Sequence, residues 1–172
     1  MLKYLLYTVV FIYVNSAFSQ DVFEDCRKGN LTHLKQLVQL KKDTINSKNE
    51  YGFSPLIIAV YRDQKEIVQY LLEQGANVDF ISGEGSALMA ACYKSNEEFV
   101  KLLLKKGANP NLQNEIGTTA LMYAVMNQNK LIIKLLLDNK ADITIKEKSG
   151  RSVFDFIPQP ADSEILKLLE KK

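Results

Sequence analysis

One histidine and two cysteines are all the imidazole and thiol groups that this 172-residue chain offers to chemistry. A Ser-His-Asp or Cys-His nucleophile needs a histidine at its side. His33 falls in a polar, outward-reading stretch, far along the chain from Cys92. A structural zinc site needs three or four nitrogen or sulfur ligands, more than His33, Cys26 and Cys92 can bring together. No catalytic residue, metal ligand or cofactor site is therefore expected. Net charge is scarce as well. The formal charge is +2, and no run of Lys and Arg exceeds two residues. Both facts exclude the basic patch of a nucleic-acid binder. Long apolar runs are also missing. The run from Tyr4 to Val14 makes about 16 Å of helix, roughly half a bilayer core.

That short run has its own reading. Lys3 precedes it, and Ala17-Phe18-Ser19 places small residues at the spacing of a cleavage site. Residues 1–19 are expected to be a secretory signal peptide, outside the fold. Cleavage then leaves an exported chain, periplasmic or secreted, with no membrane attachment. Disulfides are permitted in such a compartment.

The remainder is organised by repetition. Gly52-Phe53-Ser54-Pro55-Leu56 opens a stretch that runs through Leu71-Leu72 to Gly75-Ala76-Asn77. Ser86-Ala87-Leu88 opens a second copy, which reaches Gly107-Ala108-Asn109, and Gly117-Thr118-Thr119-Ala120-Leu121 a third. A worn copy starts at Gly150. The anchor position falls at Leu56, Leu88, Leu121 and Phe154, in steps of 32, 33 and 33 residues. A period of this length is the mark of stacked supersecondary units.

Local chemistry predicts the elements. Ser54 before Pro55 is an N-cap followed by proline at the first helical position. It opens a short helix over 55–61, and a second helix follows over 65–73. Ile67, Val68, Leu71 and Leu72 share one face of that second helix, and Gly75 ends it. Ser95 with Glu98 reads as a capping box for the next second helix. Gly83-Glu84-Gly85-Ser86 lacks the third glycine of a phosphate loop and reads as a tight turn. Pro158 and Pro160 should cut the last repeat's first helix short. In the first repeat Phe23, Cys26, Leu34, Leu37 and Val38 form the inward stripe, and His33 faces outward. Ile165, Leu168 and Leu169 close the far end. Cys26 and Cys92 stand two repeats apart, on the order of 20 Å at helix-packing distance. That exceeds the roughly 7 Å Cα limit of a disulfide, so two buried free thiols are expected.

The pattern G-x-[ST]-[PA]-L-x-x-A, two short helices, and L-L-x-x-G-A-[ND] resembles the ankyrin repeat over about residues 21–172. The resemblance implies an all-α solenoid of paired short helices with β-hairpin loops. About five repeats, including degenerate caps, would fall at 21–48, 49–81, 82–113, 114–146 and 147–172. They would form one domain, residues 20–172. One departure stands out. The family's histidine after the anchor leucine is replaced here by Ile57, Met89, Met122 and Asp155. Its inter-repeat polar link should be lost to apolar packing.

The resemblance also implies a function: a non-enzymatic module, a monomer, that binds a protein partner on its concave face. The family's contact positions map onto Glu50, Tyr51, Phe53, Tyr61 and Arg62, then Ser82, Tyr93 and Lys94. Further along they map onto Glu115, Ile116, Thr118, Met126 and Asn127, and finally Lys148 and Arg151. The partner-binding set is Tyr51, Phe53, Tyr61, Arg62, Tyr93, Lys94, Ile116, Met126 and Asn127. Its aromatic and apolar members are unneeded for stacking, and exposed apolar patches mark interfaces. By family analogy, an alternative is a periplasmic immunity or inhibitor protein that neutralises a toxic enzyme.

Overall fold

The computed structural model describes residues 22–160 and 162–170. The expected signal peptide, residues 1–19, lies outside the described residues. The described residues are helical and turn-rich. None of their helices is long and apolar enough to cross a membrane. The chain divides into two compact units, one ending at Asn77 and the other beginning at Val78.

Among the described residues, the first unit holds four helices. Residues 22–28 form α1, Leu31–Leu40 form α2, Pro55–Tyr61 form α3, and Lys65–Glu73 form α4. A 3-10 turn, Lys42–Asn46, follows α2. Val22, Phe23, Cys26, Leu34, Leu37 and Val38 are buried in the first repeat. Ser54 Oγ accepts from the Ile57 amide, and Pro55 sits at the first helical position, as its ring geometry favours. His33 does not simply face solvent as its sequence context suggests. Its Nδ1 lies 2.8 Å from Oδ2 of Asp25, a carboxylate buried on α1. The ring therefore supplies the partner that a buried carboxylate requires.

Among the described residues, the second unit carries five helices. They are α5 (Ala87–Tyr93), α6 (Glu97–Lys105), α7 (Ala120–Met126), α8 (Lys130–Asp138) and α9 (Ser163–Glu170). A 3-10 turn over Val153–Phe156 takes the place of a first helix in the last repeat. Helices α5 and α7 pack side by side, and α6, α8 and α9 form a second row. Phe99, Leu103, Ile132, Ile133, Leu136, Ile165 and Leu169 fill the space between rows. Burying each such side chain fully contributes about 1.5–3 kcal/mol.

Several sequence expectations need correction here. Ser95 does not cap α6. It has φ +53°, in the left-handed region, and Asn96 is the cap, its side chain accepting from the Phe99 amide. The residue between the two helices of a repeat must turn the chain, so Asp63 and Gln128 share that conformation. Phe154, expected as an anchor, is 40% exposed, while Val153 and Ile157 are buried instead. A 3-10 turn has three residues per turn rather than 3.6, so the inward position shifts. Leu168 is only half-buried. The interhelical loops are turns rather than hairpins. The one isolated bridge among the described residues joins Ser82 and Gly85, in the loop shortened by one residue.

The inter-repeat polar link is displaced rather than lost. Met89 and Met122 are buried, as expected of apolar replacements. Carboxamides and carboxylates elsewhere take over. In the first unit the Asn77 amide donates to Asn46 Oδ1 at 2.8 Å. In the second the Asn109 amide donates to Asp79 Oδ1, and the Asp142 amide to Asn111 Oδ1, both at 2.8 Å. Each bond ties the start of one loop to the equivalent loop of the preceding repeat.

Cys26 and Cys92 are both free and buried. Burial, with the Asp25 charge adding to it, pushes the Cys26 thiol up to about 12, and burial raises Cys92 as well. Thiolates are the reactive form, so neither cysteine is poised for chemistry at neutral pH.

Two glycines separate conformational demand from close approach. Gly107 ends α6 with φ +86°, and a Cβ there would meet nothing within 4 Å. Lys140 stands at the equivalent place after α8 and adopts φ +67°. Gly117 has φ +87° too, but a Cβ there would fall 2.8 Å from the Glu147 Cα. Gly107→Ala should cost about 1–2 kcal/mol for the left-handed conformation alone. Gly117→Ala should cost more, because backbone must move; urea denaturation of both variants checks the order.

Candidate functional site

The repeats after the first open with a loop closed around a polar side chain. Asn49 Oδ1 accepts from the Tyr51 and Phe53 amides at 3.0 and 2.9 Å. Asn114 Oδ1 accepts from the Ile116 and Thr118 amides at 3.2 and 2.8 Å. Glu147 does the same work with a carboxylate, accepting from the Ser149 and Arg151 amides at 3.0 and 3.3 Å. A side chain that satisfies two amides replaces a strand partner, which is why the loop needs no ladder. The residue beyond the turn projects away from this cage. Tyr51 and Ile116 are 68% and 58% exposed as a result.

Asn114 does more than its counterpart. Its Nδ2 donates to Tyr123 Oη at 3.2 Å and to the Glu84 carbonyl at 3.4 Å. The Tyr123 ring in turn meets Tyr93 edge to face, with centroids 5.9 Å apart. Burial raises the Tyr123 phenol, with Glu84 and Tyr93 adding to the rise and the Asn114 bond opposing it. Tyr93 ends α5 and Met126 ends α7, and they are 51% and 42% exposed. Asn127 straps the two helix ends together. Its Nδ2 donates to the Cys92 and Tyr93 carbonyls at 3.1 and 2.9 Å.

The structure thus brings Tyr93, Lys94, Met126 and Asn127 to the adjacent ends of α5 and α7, with Tyr123 beneath. Asn127 spends its amide protons on the scaffold. Ile116 rides the neighbouring loop tip. In the first unit Tyr51 and Phe53 belong to the Asn49 loop, with Phe53 half-buried. Tyr61 and Arg62 sit at the end of α3, both exposed. Sequence reasoning missed Tyr123 and the closing role of Asn114. Asn49 and Asn114 stand three residues before their glycines, so the loop role was readable from the repeat. The Tyr123–Asn114 bond was not, because Ile58 and Ala90 hold the equivalent helix positions. Among the described residues, no group of three or more His, Cys, Asp or Glu is placed to hold a metal ion.

Glu147 is the most committed charge of the second unit. The Ser149 hydroxyl and amide and the Arg151 side chain hold its carboxyl down at about 2. Its folded value lies below the ordinary 4.5, so its stabilising contribution is complete above that pH. It is lost as pH falls towards about 2. Wild type and Glu147→Gln should therefore differ in urea midpoint at pH 6 and converge between about pH 4.5 and 2. Denaturation at four pH values reads this.

Asn49 supplies a contrast. Its Nδ2 is buried and has no hydrogen-bond partner among the described residues. Asn49→Asp removes that unused donor but introduces a charge, so it should cost less than Asn114→Asp, which adds the same charge and also loses hydrogen bonds. Asn114→Asp removes a donor that is used, and should cost about 1–3 kcal/mol. Chemical denaturation of the two variants tests the difference.

Comparison with known proteins agrees with this geometry. The family model described as ankyrin repeats (3 copies) matches residues 25–82 and again 80–147. BTB/POZ domain-containing protein 3 of Schizosaccharomyces pombe is 36% identical over 56 residues, which is 33% of this chain and 11% of that protein. Palmitoyltransferase akr1 of Aspergillus oryzae is 32% identical over 68 residues, 40% of this chain and 9% of that protein. Human scaffold protein ILK is 27% identical over 62 residues, 36% of this chain and 14% of that protein. The chain spans less than a fifth of the length of these curated relatives. With the family model matching residues 25–82 and 80–147, most of its length, this chain belongs to the ankyrin-repeat family.

Proposed function

We propose that the chain is a non-enzymatic protein-binding module that works after export. It recognises a protein partner with side chains that the repeat does not need for stacking. The observation that carries this reading is the exposure of Tyr93 and Met126 at adjacent helix ends, with Ile116 exposed on the loop that leads into α7. Tyr is enriched among residues that dominate binding energy. The Tyr93–Tyr123 contact holds one of these rings in place, so less side-chain freedom is lost on binding. Tyr51, Tyr61 and Arg62 offer comparable chemistry on the first unit. One relative is named as a scaffold protein, a role in keeping with this reading. The export element rests on the basic start, apolar run and small residues of positions 1–19.

Tagged full-length chain, recovered from its native cells with its bound proteins, provides the test. Tyr93→Ala with Met126→Ala should reduce recovery of a stoichiometric protein about tenfold or more, with unchanged circular dichroism. Equal recovery by the double variant would remove this face from the function.

A further inference from the structure

The loop from Lys146 to Arg151 reverses the charge of its counterparts. Glu50 and Glu115 precede the tips of two equivalent loops, and Lys148 stands in their place here. Within this loop Arg151 is held on two sides. Its Nε donates to Glu147 Oε1 at 2.9 Å. Its guanidinium carbon lies 4.6 Å from the centroid of the Phe156 ring. Glu147 is itself fixed: its side chain is 5% exposed, and it accepts from the Ser149 amide and hydroxyl and from the Arg151 amide. The guanidinium is therefore clamped by one edge and one face, yet the side chain remains 54% exposed. Among the described residues, no hydrogen bond or ion pair engages its Nη1 or Nη2.

A guanidinium whose Nε edge is occupied presents its remaining edge as a planar two-donor fork. The complement of that fork is a carboxylate, which accepts two parallel bonds. Because the rotamer is already set, binding forfeits little side-chain entropy. Lys146 and Lys148 are exposed on the same loop and add positive potential. Asp155 also feels the charges of Lys146 and Arg151, but its Oδ2 accepts from the amide and hydroxyl of Ser152, and among the described residues no hydrogen bond joins it to the guanidinium. The buried Glu147 charge favours a monoanion over a dianion at this place. Apolar surface adjoins the loop: the Lys148 amide donates to the Ile116 carbonyl at 3.0 Å, and Ile116 is 58% exposed.

From this geometry we infer that Arg151 is a carboxylate receptor, taking an Asp or Glu side chain of the partner protein while an adjacent apolar partner residue lies on Ile116. The inference rests on the protein-binding reading and adds the chemistry of the partner.

The experiment is an NMR titration of isotope-labelled full-length chain, following the Arg151 Nε–Hε resonance. Three heptapeptides serve as probes: Gly-Ser-Leu-Glu-Leu-Ser-Gly, the same peptide with Gln for Glu, and the same with phosphoserine for Glu. The Glu peptide should shift the resonance and bind about fivefold or more tighter than the Gln peptide. Arg151→Lys keeps the charge and loses the fork, so the ratio, read from backbone amide shifts, should fall below about twofold. Equal response to Glu and Gln, or no response, overturns the inference. Discrimination that survives in Arg151→Lys overturns it in favour of a diffuse field. Tighter binding of the phosphoserine peptide overturns it in favour of phosphate. The partner recovery described above separates the two readings. If Arg151→Lys recovers the partner fully while the Tyr93/Met126 double variant does not, the binding module stands and the carboxylate receptor falls.

Discussion

Helices of seven and nine residues cannot stand alone in water, because nucleation costs more than so few hydrogen bonds return. The three middle repeats are built from such pieces: α3, α5 and α7 have seven residues, and α4, α6 and α8 have nine. Their stability must come from covering apolar faces with a neighbour. The burial of Leu88, Leu121, Leu103 and Leu136 in the second unit is that requirement met. The same requirement explains why the last repeat can lose a helix. With Pro158 and Pro160 following, a 3-10 turn buries Val153 and Ile157, and α9 covers the open side of α8. Lys130, bonded to Asp162 at 3.0 Å and close to Glu164, pins α9 in place.

Short helices leave a large share of backbone in loops, and each loop must satisfy its amides without strands. The chain does this with one side chain per loop, in three chemical versions. Asn49 and Asn114 use a carboxamide oxygen, Ser82 a hydroxyl in the shortened loop, and Glu147 a carboxylate. The versions differ in what is left over. Asn114 has spare donors and spends them on Tyr123 and Glu84, whereas Glu147 has spare acceptor capacity and spends it on Arg151. The fold's own loop closure thereby positions an aromatic pair in one repeat and an arginine in the next. Side chains left exposed by the fold are set by residues whose first task is structural.

The family's loop histidine illustrates how a polar link can move. With Ile57, Met89 and Met122 buried in its place, the tie between successive loops passes to the Asn and Asp residues after each second helix. Asn111 serves twice, accepting from the Asp142 amide and donating to the Lys140 carbonyl at 3.0 Å. Gln113 adds bonds to the Gly117 and Lys146 carbonyls.

The period, the bounds of α3 and α4 and most of the core were legible in the sequence, though Phe154 and Leu168 are not the core residues they read as. Anchor leucines at 32- and 33-residue steps, Ser54-Pro55 and Gly75 placed α3 and α4 to the residue, because capping and helical periodicity act over one or two turns. What the residues did outside their own repeat was not legible. Ser95 lost the α6 cap to Asn96 because the turn between helices needed a left-handed residue there. His33 found Asp25, Asn127 found the end of α5, Tyr123 found Asn114, and Arg151 found Phe156. The last of these lies within one repeat, but it depends on the 3-10 turn that the prolines impose. Local sequence determines which backbone groups need partners and which faces must be covered. Which side chain reaches them depends on how one repeat is set against the next, and only the tertiary structure decides that distance.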